Sequence, residues 1–331
     1  MLPDVVMERA LERRRRIVFP EGGDERVLKA AFVLAERKWA DVLLLGDPDR
    51  TATRLKAMGG VISGIEIADP KSPTELDTYA TAFAARRKAR GKEVSEKDAF
   101  EVARNPLVQA CLKVAAGEAD GTVAGAITTT TDVVKAALTC IGPAKGIKHV
   151  SSFFLMTGNE AHHSVKDTLI FADCGLVIEP AAEELASIAL ASAKSREALI
   201  GDTPRIAMLS FSTKGSASHP SLDKIKAAIE MIRDARPDLE VDGEFQFDAA
   251  FDDAIRASKA PDSVLTGRAN IFVFPNLTAG NIAYKIAQRI GGLQAIGPIL
   301  QGLERPANDV SRGCSSEDII GVALVTCAQA V

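Results

Sequence analysis

Cysteine is scarce in this sequence, and its arrangement is not that of a disulfide framework or a zinc site. The number of cysteines is odd, and no two of them have the two-residue separation of zinc-binding pairs. They are Cys111, Cys140, Cys174, Cys314 and Cys327. We therefore expect reduced thiols in a cytoplasmic protein that requires no metal.

Long apolar runs and a strong charge imbalance are also absent. No stretch approaches the ~18 consecutive apolar residues of a membrane-spanning helix, and the amino-terminal segment mixes acids and bases, unlike a signal peptide. The net charge of −4 excludes a strongly basic nucleic-acid-binding domain. Arg13–Arg16 form the densest basic cluster, and a solvated edge is a better interpretation of it than a phosphate site. We expect neither a membrane nor a nucleic-acid partner.

Short apolar runs alternate with amphipathic segments along most of the chain. Arg16–Pro20 and Val42–Gly46 are typical of strands, whereas Asp24–Trp39 has apolar residues at helical spacing and Glu96–Gly117 predicts one long helix. This alternation is typical of parallel sheets covered by helices on both faces. The sequence therefore predicts an α/β protein of two α/β lobes with mostly parallel sheets and a cleft between them.

Four loops that follow predicted strands are rich in glycine, hydroxyl and amide side chains. They cover residues 20–26, 126–131, 210–215 and 275–281. Backbone N–H groups at the start of a helix bind anions, but threonine, serine and aspartate are also ordinary helix caps. None of the loops matches a Walker A or a G-x-G-x-x-G motif, so they favour an anionic ligand without identifying one.

The densest group of candidate residues lies near the carboxyl terminus. Ser311 and Arg312 combine a hydroxyl with a planar fork of N–H donors before a predicted helix, which suits a phosphate group. Asp318, in the first turn of that helix, could accept the proton of a thiol. Ser315 and Asp318 also have the spacing of a capping box, which needs no catalysis, so the pattern alone leaves both interpretations open.

Several longer segments that together span most of the chain have the character of family motifs. They include IVFPEGGDERVLKAA at 17–31, ADGTVAGA at 119–126, LIFADCGLVIEPAAEELASIA at 169–189, FPNLTAGNIAYK at 274–285 and GPILQGLERPANDVSRGCSSEDI at 297–319. With them the sequence closely resembles the phosphate acetyltransferase (phosphotransacetylase) family, which includes the phosphate butyryltransferases. The final segment is the most specific, and ADGTVAGA alone would be weak.

The resemblance implies an activity and an architecture. The reaction would be the reversible transfer of an acetyl group between acetyl phosphate and coenzyme A, a substrate, with no tightly bound cofactor. A longer acyl chain, as in a phosphate butyryltransferase, is the alternative. The lobes would be like those of isocitrate and isopropylmalate dehydrogenases, with residues 1–147 and 297–331 in the first and residues 148–296 in the second. The chain would pair as a homodimer.

The resemblance also implies roles for individual residues. Asp318 would take the proton from the coenzyme A thiol, Arg312 would bind the acyl phosphate and Ser311 would stabilise the transition state. Arg87 matches a further anion-binding arginine, although neighbouring arginines leave its register open. Substrate-binding residues are expected in the loops and on the helix that follows the second of them: Thr128, Thr129, Thr130, Lys135, Ser212, Thr213 and Asn281.

Two residues depart from a simple transfer of these roles. Lys135 stands where the family commonly has arginine, and it keeps the charge but loses the bidentate fork. Cys174 lies in a family motif, but a small buried apolar residue is a better interpretation of it than a nucleophile. A decarboxylating dehydrogenase of similar fold and a non-catalytic acyl-phosphate or coenzyme A sensor remain as rival functions. The dehydrogenase is disfavoured because Tyr79 and Tyr284 suggest no catalytic constellation with a metal-binding aspartate cluster.

Overall fold

A computed structural model describes residues 2–59, 63–158 and 167–330. Contacts divide the chain into two compact units. One, which we call the terminal unit, consists of residues 2–147 and 303–331, and the other, which we call the central unit, consists of residues 148–302. Each has its own sheet.

Strands and helices alternate through most of the described residues. The strands are β1 (Arg15–Phe19), β2 (Ala40–Leu45), β3 (Ile65–Ala68), β4 (Gly121–Ala124), β5 (Ser151–Thr157), β6 (Leu169–Ala172), β7 (Arg205–Leu209), β8 (Glu240–Phe245), β9 (Ile271–Val273), β10 (Gln294–Gln301) and β11 (Ala307–Asp309). The helices are α1 (Asp4–Leu11), α2 (Glu25–Glu36), α3 (Pro48–Gly59), α4 (Pro73–Ala89), α5 (Glu96–Ala103), α6 (Pro106–Ala116), α7 (Thr130–Cys140), α8 (Ala182–Leu199), α9 (Asp223–Ala235), α10 (Phe247–Phe251), α11 (Asp253–Lys259), α12 (Leu277–Arg289) and α13 (Ser316–Gln329).

The sheet of the terminal unit is parallel and has the strand order β11-β4-β1-β2-β3. Ile17, Val18 and Phe19 of β1 are fully buried, which explains why this strand is continuously apolar rather than alternating. Because β11, β4 and β1 are parallel neighbours, their carboxyl ends lie at one edge of the sheet. The chain thus brings the loops after these three strands together.

The sheet of the central unit is mixed and has the order β10-β5-β6-β9-β7-β8. β6, β9, β7 and β8 pair in parallel, while β5 pairs antiparallel with both β6 and β10. Its core contains a cluster of aromatic rings in which Phe171 contacts Phe272 and Phe274.

The strand pairing in both sheets, together with the helices between the strands, confirms the α/β class with mostly parallel sheets.

Two details differ from the sequence-based expectations. The single helix expected over Glu96–Gly117 is two helices, because Asn105 Oδ1 caps α6 by accepting a hydrogen bond from the Leu107 N–H, and Pro106 begins a new first turn. The contacts also assign residues 297–302 to the central unit. These residues belong there because β10 continues through them and pairs with β5.

Candidate active site

The loops that follow β1, β4 and β11 form a cluster at one edge of the terminal unit. Glu21 belongs to the first loop, which leads into Arg26 in the first turn of α2. Thr128 belongs to the second loop, and Ser311 and Arg312 belong to the third. Hydrogen bonds between their side chains and backbone groups connect the three loops. The predicted catalytic and threonine-rich segments therefore lie in one neighbourhood.

Glu21 fixes the threonine-rich loop by hydrogen bonds to its carboxylate. Its buried carboxylate accepts hydrogen bonds from the backbone N–H groups of Ala126, Ile127 and Thr128 at 2.8, 3.1 and 2.9 Å. It also accepts a hydrogen bond from the Thr128 hydroxyl at 2.7 Å. The loop composition suggested that these N–H and O–H donors bind an anion, but a side chain of the protein already accepts from them. The amides of Thr130 and Thr131, at the start of α7, make no hydrogen bond within the described part of the chain.

Arg26 ties the third loop to the first two. Its Nη1 donates to the carbonyl oxygens of Arg312 at 2.7 Å and Cys314 at 3.2 Å. Its Nη2 donates to the Ala126 carbonyl at 2.6 Å and to Asp24 at 2.9 Å. The bond from Arg26 is the main cause of the lowered pKa of Asp24. A planar five-donor group suits this task, because a single ammonium could not hold so many acceptors in fixed directions.

Ser311 and Arg312 are exposed at the end of this braced loop. The Ser311 hydroxyl accepts from the Gly313 N–H at 3.2 Å, and the Ser311 carbonyl accepts from the Cys314 N–H at 2.8 Å. The Arg312 guanidinium has no ion-pair or hydrogen-bond partner among residues 2–59, 63–158 and 167–330. Arg312 therefore presents its full fork of donors, while its backbone is fixed by Arg26.

Asp318 takes part in the capping box that its spacing with Ser315 predicted. Its Oδ2 accepts from the backbone N–H of Ser315 at 2.9 Å and from the Ser315 hydroxyl at 3.0 Å, and its own N–H donates to that hydroxyl at 3.1 Å. The side chain is half-buried, and its Oδ1 accepts no hydrogen bond from any residue that the structure describes. Burial raises the pKa of the nearby Cys314 thiol to about 11, and the charge of Asp318 adds to this effect.

Asp309 ends β11, just before the exposed loop with Ser311 and Arg312. It was not among the predicted site residues. It is fully buried at the end of β11, and its Oδ2 lies 2.5 Å from the Thr130 hydroxyl. Glu21, Arg26 and Asp309 are the residues that bind the loops together. Glu21 and Asp309 share a signal in the sequence, because each is a charged residue at or just after the end of a buried strand, an unfavourable place for an unpaired charge. Arg26 lies instead in the first turn of α2.

Three arginines at the carboxyl end of α4, of which Arg90 is the cap, have different partners. Arg86 donates to the Ile141 carbonyl at 2.9 Å. Arg90 donates to the carbonyls of Leu138 at 2.9 Å, Thr139 at 2.8 Å and Ile141 at 2.9 Å, at the carboxyl end of α7. Arg87 is half-buried and has no such partner in the described segments. Lys135 is exposed on α7, likewise without an ion pair in this part of the chain.

The predicted residues of the central unit have internal partners. Ser212 is fully buried and its hydroxyl donates to Glu244 Oε1 at 2.8 Å, while the Thr213 hydroxyl accepts from the Gln246 N–H at 3.0 Å. The side-chain amide of Asn281 donates to the Cys174 carbonyl at 3.2 Å. The Cys174 thiol is fully buried, and burial raises its pKa well above the ordinary value, which agrees with the interpretation of a small apolar residue.

Two classes of feature are missing from the described residues. No helix there is long and apolar enough to cross a membrane. Nor do His, Cys, Asp and Glu side chains in residues 2–59, 63–158 and 167–330 form a group of three or more that could hold a metal ion.

The sequence and the fold both have close counterparts among known proteins. The family described as "Phosphate acetyl/butaryl transferase" matches residues 1–327. A phosphate acetyltransferase of Paracoccus denitrificans is 50% identical over 98% of both chains, and that of Bacillus subtilis is 42% identical over 98% of both chains. A phosphotransacetylase structure from Streptococcus pyogenes has a TM-score of 0.90 at 43% identity and covers 98% of this chain and 96% of its own.

A more distant likeness concerns the fold alone. A 4-hydroxythreonine-4-phosphate dehydrogenase from Klebsiella pneumoniae covers 96% of this chain and 100% of its own, with a TM-score of 0.55 at 13% identity. It is consistent with the expected dehydrogenase-like architecture. At the level of the family, the full-length match and the identities above leave one conclusion: the chain belongs to the phosphate acetyl/butyryl transferases, which are acyltransferases, as its motifs indicated.

Proposed function

We propose that this protein is a phosphate acetyltransferase that moves an acetyl group reversibly between acetyl phosphate and coenzyme A. The observation that carries the proposal is Arg312, an exposed and unpaired guanidinium whose backbone Arg26 holds in place. Such a fork is complementary to a phosphoryl group. The relatives from Paracoccus denitrificans and Bacillus subtilis are named for acetyl rather than butyryl transfer, which supports the shorter acyl chain.

The proposed chemistry transfers the acyl carbon from oxygen to sulfur. The coenzyme A thiol loses its proton to Asp318, its sulfur forms a bond to the carbonyl carbon, and the bond to the phosphate oxygen breaks with its electron pair leaving on phosphate. Arg312 and the free N–H groups at the start of α7 would hold the charge on the leaving phosphate. Ser311, beside Arg312, would stabilise the tetrahedral intermediate through its hydroxyl.

Asp318 is a weak base for this task because an aspartate has a reference pKa of about 3.9 and a thiol of about 8.5. Its capping-box bonds fix one oxygen on Ser315, which leaves the other to face the thiol. We propose that orientation of the thiol and stabilisation of the leaving phosphate contribute more than basicity.

Arg87 and Lys135 would bind further anionic groups of the substrates. The partners of Arg86 and Arg90 support Arg87 as the binding residue of its helix, since the other two already hold carbonyl oxygens of α7 and of Ile141 beyond it. Thr128 and Thr129 are committed to Glu21 and Asp132, so among the three threonines Thr130 and its N–H are the best placed for a substrate. The internal bonds of Ser212, Thr213 and Asn281 favour an indirect role for these three residues.

A panel of acyl phosphates tests the proposed activity. Acetyl, propionyl and butyryl phosphate would each be mixed with coenzyme A, and thioester formation followed by absorbance. We expect the highest kcat/KM with acetyl phosphate, without added metal. A preference for butyryl phosphate would indicate the alternative activity, and no turnover with any of the three would contradict both.

We also propose that the chain forms a homodimer in the cytoplasm. Ile282, Ile286 and Ile290 recur at helical spacing along α12 and its end, and they are 54, 52 and 84% exposed. A stripe of this kind is costly in a monomer and suits a second copy of the chain. The five thiols are unpaired, which supports a reducing compartment.

Light scattering after size-exclusion chromatography tests the pairing. The native chain should have twice the mass of its sequence, and Ile286→Lys should shift it toward the single-chain mass. Met231→Lys, at a solitary exposed apolar residue on α9, is the control and should leave the mass unchanged. A native protein that elutes with the mass of one chain would contradict the dimer.

A further inference from the structure

Asp309 is a carboxyl group enclosed by the terminal unit. Its side chain has no exposed surface, and its Oδ2 is 2.5 Å from the hydroxyl of Thr130. Its Oδ1 is buried and makes no hydrogen bond within the described residues. Gly125 provides the space: this residue has φ +106°, and a Cβ atom there would lie 2.1 Å from Oδ1.

The charges around Asp309 disfavour its ionised form. The neighbouring charged group is Glu21, which has the same sign and is fixed by donors from the threonine-rich loop. Arg26 is directed elsewhere, to Asp24 and to three carbonyl oxygens. A buried carboxylate oxygen without a donor is costly, whereas a neutral acid is tolerated. Burial is the largest cause of the raised pKa of Asp309, which is about 7. The charge of Glu21 raises this pKa further, whereas the Thr130 bond and the backbone N–H of Val310 lower it.

The protonation of Asp309 decides which way the Thr130 hydroxyl can donate. A hydroxyl has one hydrogen and two lone pairs. If Asp309 is ionised, it can only accept, and the Thr130 hydrogen must point to it. If Asp309 is neutral, its own O–H can donate to Thr130 Oγ1, and the Thr130 hydrogen is free to point away. The half-exposed Thr130 lies in the first turn of α7, beside the free N–H groups of that helix end.

A phosphoryl group that binds at this helix end can use only donors, because its oxygens are acceptors. We propose that Asp309 is a positioning residue that stays protonated when phosphate binds, donates to Thr130 and so directs the Thr130 hydroxyl hydrogen to the phosphoryl oxygens of the acyl phosphate. This inference rests on the proposed binding of phosphate at Thr130. It adds a residue that touches no substrate and predicts a pH dependence for anion binding.

Sulfate is the probe, because its charge is constant from pH 6 to 8.5 and its binding can be measured by calorimetry without turnover. For the native protein, the dissociation constant for sulfate should rise about 5-fold with increasing pH, with a midpoint near pH 7, as one hydrogen bond is lost. The sign follows from the raised pKa: the favourable neutral form is present below about pH 7 and is lost above it.

Three variants separate this mechanism from a general effect of pH. Asp309→Asn carries an amide that can always donate to Thr130, so it should bind sulfate tightly across the whole range. Thr130→Val removes the hydroxyl and should bind weakly at every pH. Asp132→Asn is the matched control. Asp132, in the first turn of α7, accepts a hydrogen bond from the hydroxyl of the capping residue Thr129 at 2.7 Å but is exposed, so this variant should keep the native pH dependence.

A flat sulfate titration of the native protein, or a native slope in Thr130→Val, would overturn the role of Asp309. Turnover of acetyl phosphate with coenzyme A by the native protein is measured separately at pH 7. An active enzyme with a flat sulfate titration contradicts the role of Asp309 alone, whereas an inactive protein contradicts the proposed function and leaves the calorimetric result to judge Asp309. If Asp309→Asn does not fold, the comparison of the native chain with Thr130→Val still decides.

Discussion

The loops at the ends of parallel strands have similar compositions in the two units, but their polar groups are used differently. In the terminal unit, the backbone of the third loop is held by Arg26, and the side chain of Arg312 is left exposed and unpaired within the described residues. In the central unit, Ser212 and Thr213 are buried, and their hydroxyls are hydrogen-bonded to Glu244 of β8 and to Gln246, which follows that strand. The comparison teaches that glycine and hydroxyl content alone does not identify a binding loop. A loop that can bind has braced backbone groups and side-chain donors left over.

Removal of the Arg312 guanidinium tests this distinction most directly, and we expect the largest effect there. Arg312→Ala should lower kcat by about 10²–10³-fold, because one donor group for the developing phosphate charge is lost. Arg312→Lys should recover little, since an ammonium lacks the planar fork. Steady-state kinetics measure both. Arg305→Ala is the control, since exposed Arg305 precedes β11 rather than following it. Near-native activity of Arg312→Ala would exclude the role.

Asp318 and Ser315 separate catalysis from helix capping within one hydrogen-bonded pair. Asp318→Asn keeps an oxygen that can accept the bonds from Ser315, so its melting temperature should change little, while kcat should fall by about 10²-fold if the carboxylate accepts the thiol proton. Ser315→Ala should cost about 0.5–2 kcal/mol of stability with little loss of kcat. The reverse outcome, a stable and active Asp318→Asn protein, would reduce Asp318 to a cap.

Much of the fold could be predicted because its signals are local. β1 and β2 are apolar runs that end at proline or glycine, and α2 has its apolar residues at helical spacing. β8 was not predicted, since Glu240–Phe245 contains three acidic residues that are unusual in a strand. Asp242 and Glu244 are nevertheless buried, because Lys214 and Ser212 of another loop pair with them.

The site was predictable to the extent that its residues lie in one motif. Ser311, Arg312 and Asp318 are within one short segment, and the family resemblance identifies them together. The bracing was not predictable, because its partners are remote in the chain: Thr130 and Asp309 are 179 positions apart, and Arg26 and Arg312 are 286 apart. Only the pairing of β11 with β4 and of β4 with β1 brings these residues together.

Ser212 tests the comparison from the side of the central unit. Ser212→Ala should lower the free energy of unfolding by about 1–3 kcal/mol, because buried Glu244 would lose a donor, and kcat should be unchanged. Thermal unfolding and steady-state kinetics measure the two effects. Ser210→Ala is the control in the same loop, and its effect should stay within about 0.5 kcal/mol. An increase in KM without a loss of stability would instead indicate that the Ser212 hydroxyl binds substrate.

Lys135 should give the smallest effect, because it is exposed and its charge is screened by solvent. Exposed charge pairs are worth about 0.2–1 kcal/mol, so Lys135→Ala should raise the KM for acyl phosphate by only about 1.4- to 5-fold. Lys135→Arg should leave that KM unchanged or lower it, since the fork can bind two oxygens at once. Lys97→Ala, at an exposed lysine on α5, should not change the KM. If Lys135→Ala also has no effect on the KM, an exposed and unpaired cation is not sufficient to bind the acyl phosphate. The feature that distinguishes Arg312 would then be its backbone, which Arg26 holds in place.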